Sequence, residues 1–210
     1  IKNKNLKILN LNLTFLGFVN IKDELRREAF EGIRLIKSAG IQTIMITGDA
    51  IDTATSIAKE VGLITNDKQI VLTSSVLAKM SDEEIKEKLS DIRVIARALP
   101  NDKSRLVNIL EDMSLVVGMT GDGVNDAPAL KKANVGFAMG SGTDVAKEAA
   151  DIVILDDNIL SISKAILYGR TIFKSIRKFI IYQLTVNTCA VILSIDGSLI
   201  GISTPITIVQ

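Results

Sequence analysis

Apolar and polar positions change period repeatedly along the first 150 residues, and each change marks an element. Leu11, Leu13 and Phe15 alternate with polar neighbours and predict a strand over 11–19. Leu25, Ala29, Ile33 and Ile36 recur at helical spacing until Gly40 closes the run. Residues 43–46 predict a buried strand, and Ile51, Ala54, Ile57, Ala58 and Val61 a helix that Gly62 stops. Residues 65–91 are polar with a weak helical pattern, and Ser81-Asp82-Glu83-Glu84 has the form of a helix start. Further strands are predicted at 92–96, 115–119, 135–139 and 152–155. Helices are expected between them: one after Pro100 with Leu106, Ile109 and Leu110 inward, one over 125–133, and one near 143–150. This alternation predicts an α/β domain built on a parallel, doubly wound sheet.

The pattern changes near Asn158. Ile159, Ile162, Ile166, Ile172, Phe173 and Ile176 predict one long helix with little to break it before Gly197. Residues 158–178 carry Lys164, Arg170, Lys174, Arg177 and Lys178 and no acidic side chain, and 179–195 carry no charge at all. A bilayer-spanning helix needs about 20 predominantly apolar residues. Basic residues just before such a run mark the cytoplasmic side. A buried helix of a globular core also passes the length test but does not account for the basic collar. The expected organisation is therefore a cytoplasmic domain over 1–157, a stalk over 158–178, a transmembrane helix over 179–196, and a loop opening a further membrane segment over 197–210.

Composition narrows the chemistry. Twenty-five basic residues against 24 acidic ones give no nucleic-acid signal. The absence of histidine rules out histidine bases and ligands, and the single Cys189 rules out a disulfide framework or thiolate cluster within the chain. Ile1-Lys2-Asn3-Lys4 is neither a start methionine nor a signal peptide, so the sequence reads as a piece of a longer one.

Candidate chemistry gathers after the fourth predicted strand. Gly121 and Gly123 bracket Asp122, Asn125 and Asp126 follow, and Pro128 falls in the first turn of the next helix. Acidic groups at the C-terminal end of a parallel strand lie where open α/β sheets place their ligands. Two carboxylates and an amide within five residues suit a small hard cation such as Mg2+. A plain Gly-Asp-Gly turn with a capping aspartate uses the same residue types. Thr47-Gly48-Asp49 ends the second strand, where a hydroxyl and backbone N–H groups can hold phosphate oxygens or simply form a turn. Lys103, opening a helix after Pro100, can neutralise a phosphoryl oxygen or remain a solvated surface charge.

The string TGDGVNDAP over residues 120–128 resembles the signature of P-type cation-transporting ATPases, and with Thr47 and Lys103 it is similar to three of the four haloacid dehalogenase motifs. The resemblance implies a haloacid dehalogenase-like, Rossmann-type parallel sheet, incomplete here, followed by a helix entering the membrane. By the same resemblance Thr47, Gly48 and Asp49 contact a transferred phosphoryl group and Lys103 stabilises its charge. Asp122 ligates Mg2+, while Asn125 and Asp126 order the loop and its water. The family's nucleophilic Asp lies in a DKTGT string, which does not occur in these 210 residues. The chain is thus expected to be inactive alone, and ATP to bind mainly on a domain outside it.

Residues 178–187, KFIIYQLTVN, resemble the fifth membrane helix of calcium pumps, the plasma-membrane type above all. That resemblance implies Asn187 as a ligand of the transported cation, with Ca2+ as the cargo. Ala190 stands where reticulum-type pumps carry Glu, which implies fewer calcium sites or another ion. An amide inside an apolar helix is costly to leave unpaired, and bonding to a neighbouring helix meets that need equally well. Thr47, Lys103 and Asp122 fit a soluble haloacid dehalogenase-like phosphatase as well, and the absent nucleophile keeps a non-catalytic remnant as a further alternative. The expected partners of the pump reading are the cation, the bilayer and the N-terminal remainder of the protein.

Overall fold

Helix α1 (Arg27–Ser38) buries Gly32, Ile33 and Ile36 on one face, the stripe its spacing predicts. It leads into β1 (Met45–Ile46) and then α2 (Ile51–Glu60), whose Ala54 and Ala58 are fully buried. This is a computed structural model describing residues 16–17 and 24–201, so the strand expected over 11–19 lies largely outside the described residues.

Within the polar 65–91 stretch the chain forms β2 (Ile70–Thr73) and two short helices, α3 (Ser74–Leu77) and α4 (Asp82–Lys88). The strand is not anticipated by the sequence pattern, because four apolar-to-neutral residues sit among charged neighbours. The helix start at Ser81 is real. Its hydroxyl accepts from the Glu84 N–H at 3.2 Å, and the Ser81 N–H donates to Glu84 Oε2 at 2.9 Å.

Strand β3 (Ile92–Ala96) pairs in parallel with both β1 and β2, giving the order β1-β3-β2. As the central strand it is nearly all buried: Ile92 and Ile95 pack towards Leu72, Ile85 and Leu106, while Val94 and Ala96 pack towards Ile33 and Ala58. Helix α5 (Pro100–Asp112) begins with proline in its first turn, and the Leu99 N–H donates to Asp102 Oδ2 at 2.7 Å.

A second parallel sheet follows, ordered β4-β5-β6 from β4 (Gly118–Gly121), β5 (Val135–Met139) and β6 (Ile152–Ile154). Between them lie a 3-10 turn over Val124–Asp126, α6 (Ala127–Lys132) and α7 (Asp144–Ala149). Strand β4 starts three residues later than the apolar run 115–119 suggests. Leu115 and Val116 are exposed, and the ladder is formed by Gly118, Met119, Thr120 and Gly121 against residues 135–138.

No hydrogen-bonded ladder joins the two sheets among the described residues. Helices join them instead. Leu106 and Ile109 of α5 pack on the first sheet while Val107 packs with Val117, Met119 and Leu130 on the second. On the other face, α8 (Ile159–Leu199) opens with Ile159, which packs with Ile33 and Ala54 and also with Phe137 and Ile154. A Cβ on Gly32 would stand 2.6 Å from Ile159 Cγ2, so the glycine permits α1 to meet α8 closely. Helix α8 is capped by Asn158, whose Oδ1 accepts from the Leu160 N–H at 2.9 Å, and it runs unbroken through Gly169 and Gly197.

Candidate functional site

Three loops at the C-terminal ends of parallel strands carry the expected residues, and each is held by a different force. The loop after β4 is the most constrained. Asp126 is buried, and its Oδ1 accepts a short hydrogen bond from Lys103 Nζ at the start of α5. Its Oδ2 accepts from the backbone N–H groups of Asp122 at 3.2 Å and Gly123 at 3.3 Å. Burial pushes the Asp126 carboxyl up. The Lys103 hydrogen bond and charge, with the Gly123 and Asp122 N–H groups, outweigh it and hold the carboxyl below its ordinary value.

Gly121 leaves room for this arrangement. A Cβ there would lie 2.4 Å from Asp126 Cβ, so no other residue fits without moving the carboxylate. Gly123 is less demanding, since a Cβ would meet nothing nearer than 3.8 Å. The loop before α7 closes over the far side. The Thr143 N–H donates to the Asp122 carbonyl at 2.8 Å, and a Cβ on Gly142 would stand 2.9 Å from that oxygen. Neither Gly142 nor Thr143 is marked by any sequence pattern, because they reach Asp122 only through the pairing of β4 with β5.

With its backbone held on both sides, Asp122 presents an exposed carboxylate, and Asn125 beside it is exposed as well. Both Asp126 oxygens are engaged by N–H donors, so Asp122 is the free carboxylate of the loop. Among the described residues no three acidic, cysteine or histidine side chains converge so that they could hold a metal ion. A donor set of one carboxylate suits Mg2+ only where phosphate oxygens, waters or a second carboxylate complete the shell, which is how this ion is commonly bound.

The Thr47–Asp49 loop after β1 combines a side-chain turn of its own with main-chain ties to β3 and the residues after it. Thr47 Oγ1 donates to Asp49 Oδ2 at 2.8 Å and accepts from the Asp49 N–H at 3.2 Å. Gly48 has open space on its Cβ side, and Gly48 and Asp49 are exposed. The Ala98 N–H donates to the Thr47 carbonyl at 2.9 Å, and the Arg97 N–H to the Asp49 carbonyl at 3.0 Å. This ties the threonine loop to the β3–α5 connection that delivers Lys103. The structure thus links Thr47, Gly48, Asp49, Lys103, Asp122, Asn125 and Asp126 through adjoining loops at one end of the strands.

Asn187 lies far from them, along α8. It is exposed, and its Oδ1 accepts from Gln183 Nε2 at 3.3 Å one turn earlier in the same helix. The large apolar side chains around it are exposed too, including Ile180, Leu184, Val191 and Ile195. Helix α8 is long and apolar enough to cross a bilayer, and its most apolar window is not buried against the rest of the chain.

Comparison with known proteins agrees with this layout. A family profile described as haloacid dehalogenase-like hydrolase matches residues 3–134, and a second of the same description matches 105–166. The chain belongs to the haloacid dehalogenase-like hydrolases. It is 47% identical over 189 residues to calcium-transporting ATPase PAT1 of Dictyostelium discoideum, a match spanning 90% of this chain and 17% of that protein. Calcium-transporting ATPase 2 of Schizosaccharomyces pombe is 48% identical over 185 residues, 88% of this chain and 14% of that protein. Calcium-transporting ATPase 9, plasma membrane-type, of Arabidopsis thaliana is 42% identical over 94% of this chain and 19% of its own length. The chain therefore spans less than a quarter of these relatives. Among solved structures, a zinc-transporting PIB-type ATPase in the E2.Pi state superposes with a TM-score of 0.66 at 29% identity, covering 88% of this chain and 25% of that one.

Proposed function

We propose that this chain is the C-terminal part of the phosphorylation domain and the following membrane helix of an ATP-driven cation pump, with Ca2+ as the cargo. Its role is to receive an aspartyl phosphate formed elsewhere in the protein. The observation that carries this reading is the Asp122–Asp126 loop: one free carboxylate on a backbone immobilised by buried Asp126 and its half-buried partner Lys103. Such a loop is half of a phosphoryl site. Strands β1 and β4 each form an edge of their sheet, and their loops carry Thr47 and Asp122 respectively. A further parallel strand seated between those edges would deliver its C-terminal aspartate to both loops. This accounts for the absence of a DKTGT string from these 210 residues.

In the assembled site Thr47 Oγ1 and the exposed Gly48 N–H donate to phosphoryl oxygens, and Lys103 offsets their negative charge while keeping Asp126 in place. Bound at Asp122, Mg2+ would supply electrostatic stabilisation of the charge on the transferring group. Asn187, with Gln183 donating to its oxygen, is placed in the apolar segment as the proposed cation ligand. The calcium assignment rests on relatives at 42–48% identity that carry that name. A soluble phosphatase is disfavoured by the apolar surface that α8 exposes over 179–195.

Radiolabelled phosphoenzyme formation tests the reading. The 210-residue chain with ATP and Mg2+ should form none. In the intact protein Asp122→Ala should abolish calcium-stimulated phosphoenzyme, and normal labelling in that variant would remove Asp122 from the site.

A further inference from the structure

We infer that Lys174, Arg177 and Lys178 form a binding surface for anionic phospholipid headgroups on the cytoplasmic side, an inference that rests on α8 crossing the membrane. At about 100° per residue, Arg170, Lys174, Arg177 and Lys178 fall within an arc of roughly 100° on α8. All four are exposed, and none forms an ion pair among the described residues. Residues 158–178 hold no acidic side chain to neutralise them. The opposite side of the same stretch is apolar: Tyr168, Ile172 and Ile176 are 66%, 58% and 51% exposed and centre about 170° away from the basic stripe. The contact of α1 with α8, through Ile159 and Arg170, ends one turn short of Lys174 and leaves Lys174, Arg177 and Lys178 uncovered among the described residues.

Depth separates the four cations into two roles. Taking Phe179 as the start of the uncharged run, Lys178, Arg177 and Lys174 stand roughly 1.5, 3 and 7.5 Å back along the axis, and Arg170 about 13.5 Å. The headgroup layer on one side of a bilayer is about 5–7.5 Å thick, so Lys174 stands at its outer limit. The first three therefore lie at headgroup level, whereas Arg170 lies above it and is already engaged. Its Nη1 donates to the Ala39 carbonyl at 2.7 Å, at the C-terminal end of α1, where a cation is favoured by the helix dipole. Three unpaired cations on one face at this depth match the negative surface of a cytoplasmic leaflet, which attracts juxtamembrane basic residues.

The full chain reconstituted in phosphatidylcholine vesicles, with spin-labelled phosphatidylserine or phosphatidylcholine as probe, tests the assignment. The wild type should hold labelled phosphatidylserine preferentially. Each single substitution to Gln should weaken that preference by up to about five-fold. The triple variant Lys174→Gln/Arg177→Gln/Lys178→Gln should lose it, as should the wild type in ~1 M salt, where screening acts within about 3 Å. Lys131→Gln/Lys132→Gln, on α6, should leave it unchanged. A wild type without preference, or a triple variant that keeps it, overturns the assignment, and the former result would give the stripe to an acidic protein segment instead. An alkaline wash distinguishes the two levels of failure. A chain washed from the vesicles sinks the membrane reading and this surface together, while one that stays without lipid preference sinks the surface alone.

Discussion

The loops after β1 and β4 occupy matching places at the ends of parallel edge strands, yet different kinds of contact fix their functional side chains. The Asp122–Asp126 loop is fixed by partners distant in sequence: Lys103 from α5, Thr143 from the loop before α7, and a carboxylate that fits only against Gly121. The Thr47–Asp49 loop is held by a hydroxyl–carboxylate turn of its own, open to solvent, with main-chain ties on one side only. A metal-binding carboxylate gains from being set before its ligand arrives, since positioning costs then fall on folding and not on the reaction. In the proposed site, the side-chain turn of Thr47 and Asp49, open to solvent, is what would rearrange around a phosphoryl group borne by another strand.

The contrast can be broken most sharply at Gly121. Gly121→Val drives side-chain atoms into Asp126 and separates it from Lys103. It should cost about 3 kcal/mol or more in urea unfolding, with the midpoint shifted and the slope unchanged. If Gly121→Val is neutral, the loop is not sterically fixed. Lys103→Met comes next. It leaves Asp126 as a buried carboxylate without its cation, at a cost of about 2–3 kcal/mol near neutral pH, reduced because Lys103 keeps 21% of its side-chain exposure.

Acid sharpens the same test. The Asp126 carboxyl is held below its ordinary value of 3.8, so its contribution is complete above that pH and is lost as pH falls through the folded-state value. The stability gap between wild type and Lys103→Met should therefore narrow on acidification, and a gap that widens would contradict the pairing. Thr47→Ala should have the smallest effect on stability, about 0.5–1 kcal/mol for one exposed turn hydrogen bond. A loss comparable to that of Gly121→Val would show the two loops to be equally constrained.

The sequence announces some of this and hides the rest for physical reasons. Helices α1 and α5 and strands β3 and β5 are legible because a buried stripe or a buried run leaves a periodic trace. Strand β2 leaves none, being four residues long with only Leu72 buried. Leu115 and Val116 mislead in the other direction, since they are apolar but exposed and lie outside the ladder. Asp122 and Asp126 are conspicuous within TGDGVNDAP, but their division of labour is not. That Asp126 serves Lys103 and two backbone N–H groups, leaving Asp122 free, depends on a contact between residues 23 positions apart. Periodicity carries no record of such a pairing.

The unbroken course of α8 has a mechanical consequence. Its 41 residues make a rod about 60 Å long, with no proline or bulge at which to bend, rooted between α1 and the second sheet at Ile159 and Ile162. A tilt of about 5° at that root carries the far end through roughly 5 Å, close to one helical turn. Small displacements at that root are thus geared up along the shaft before they reach Asn187.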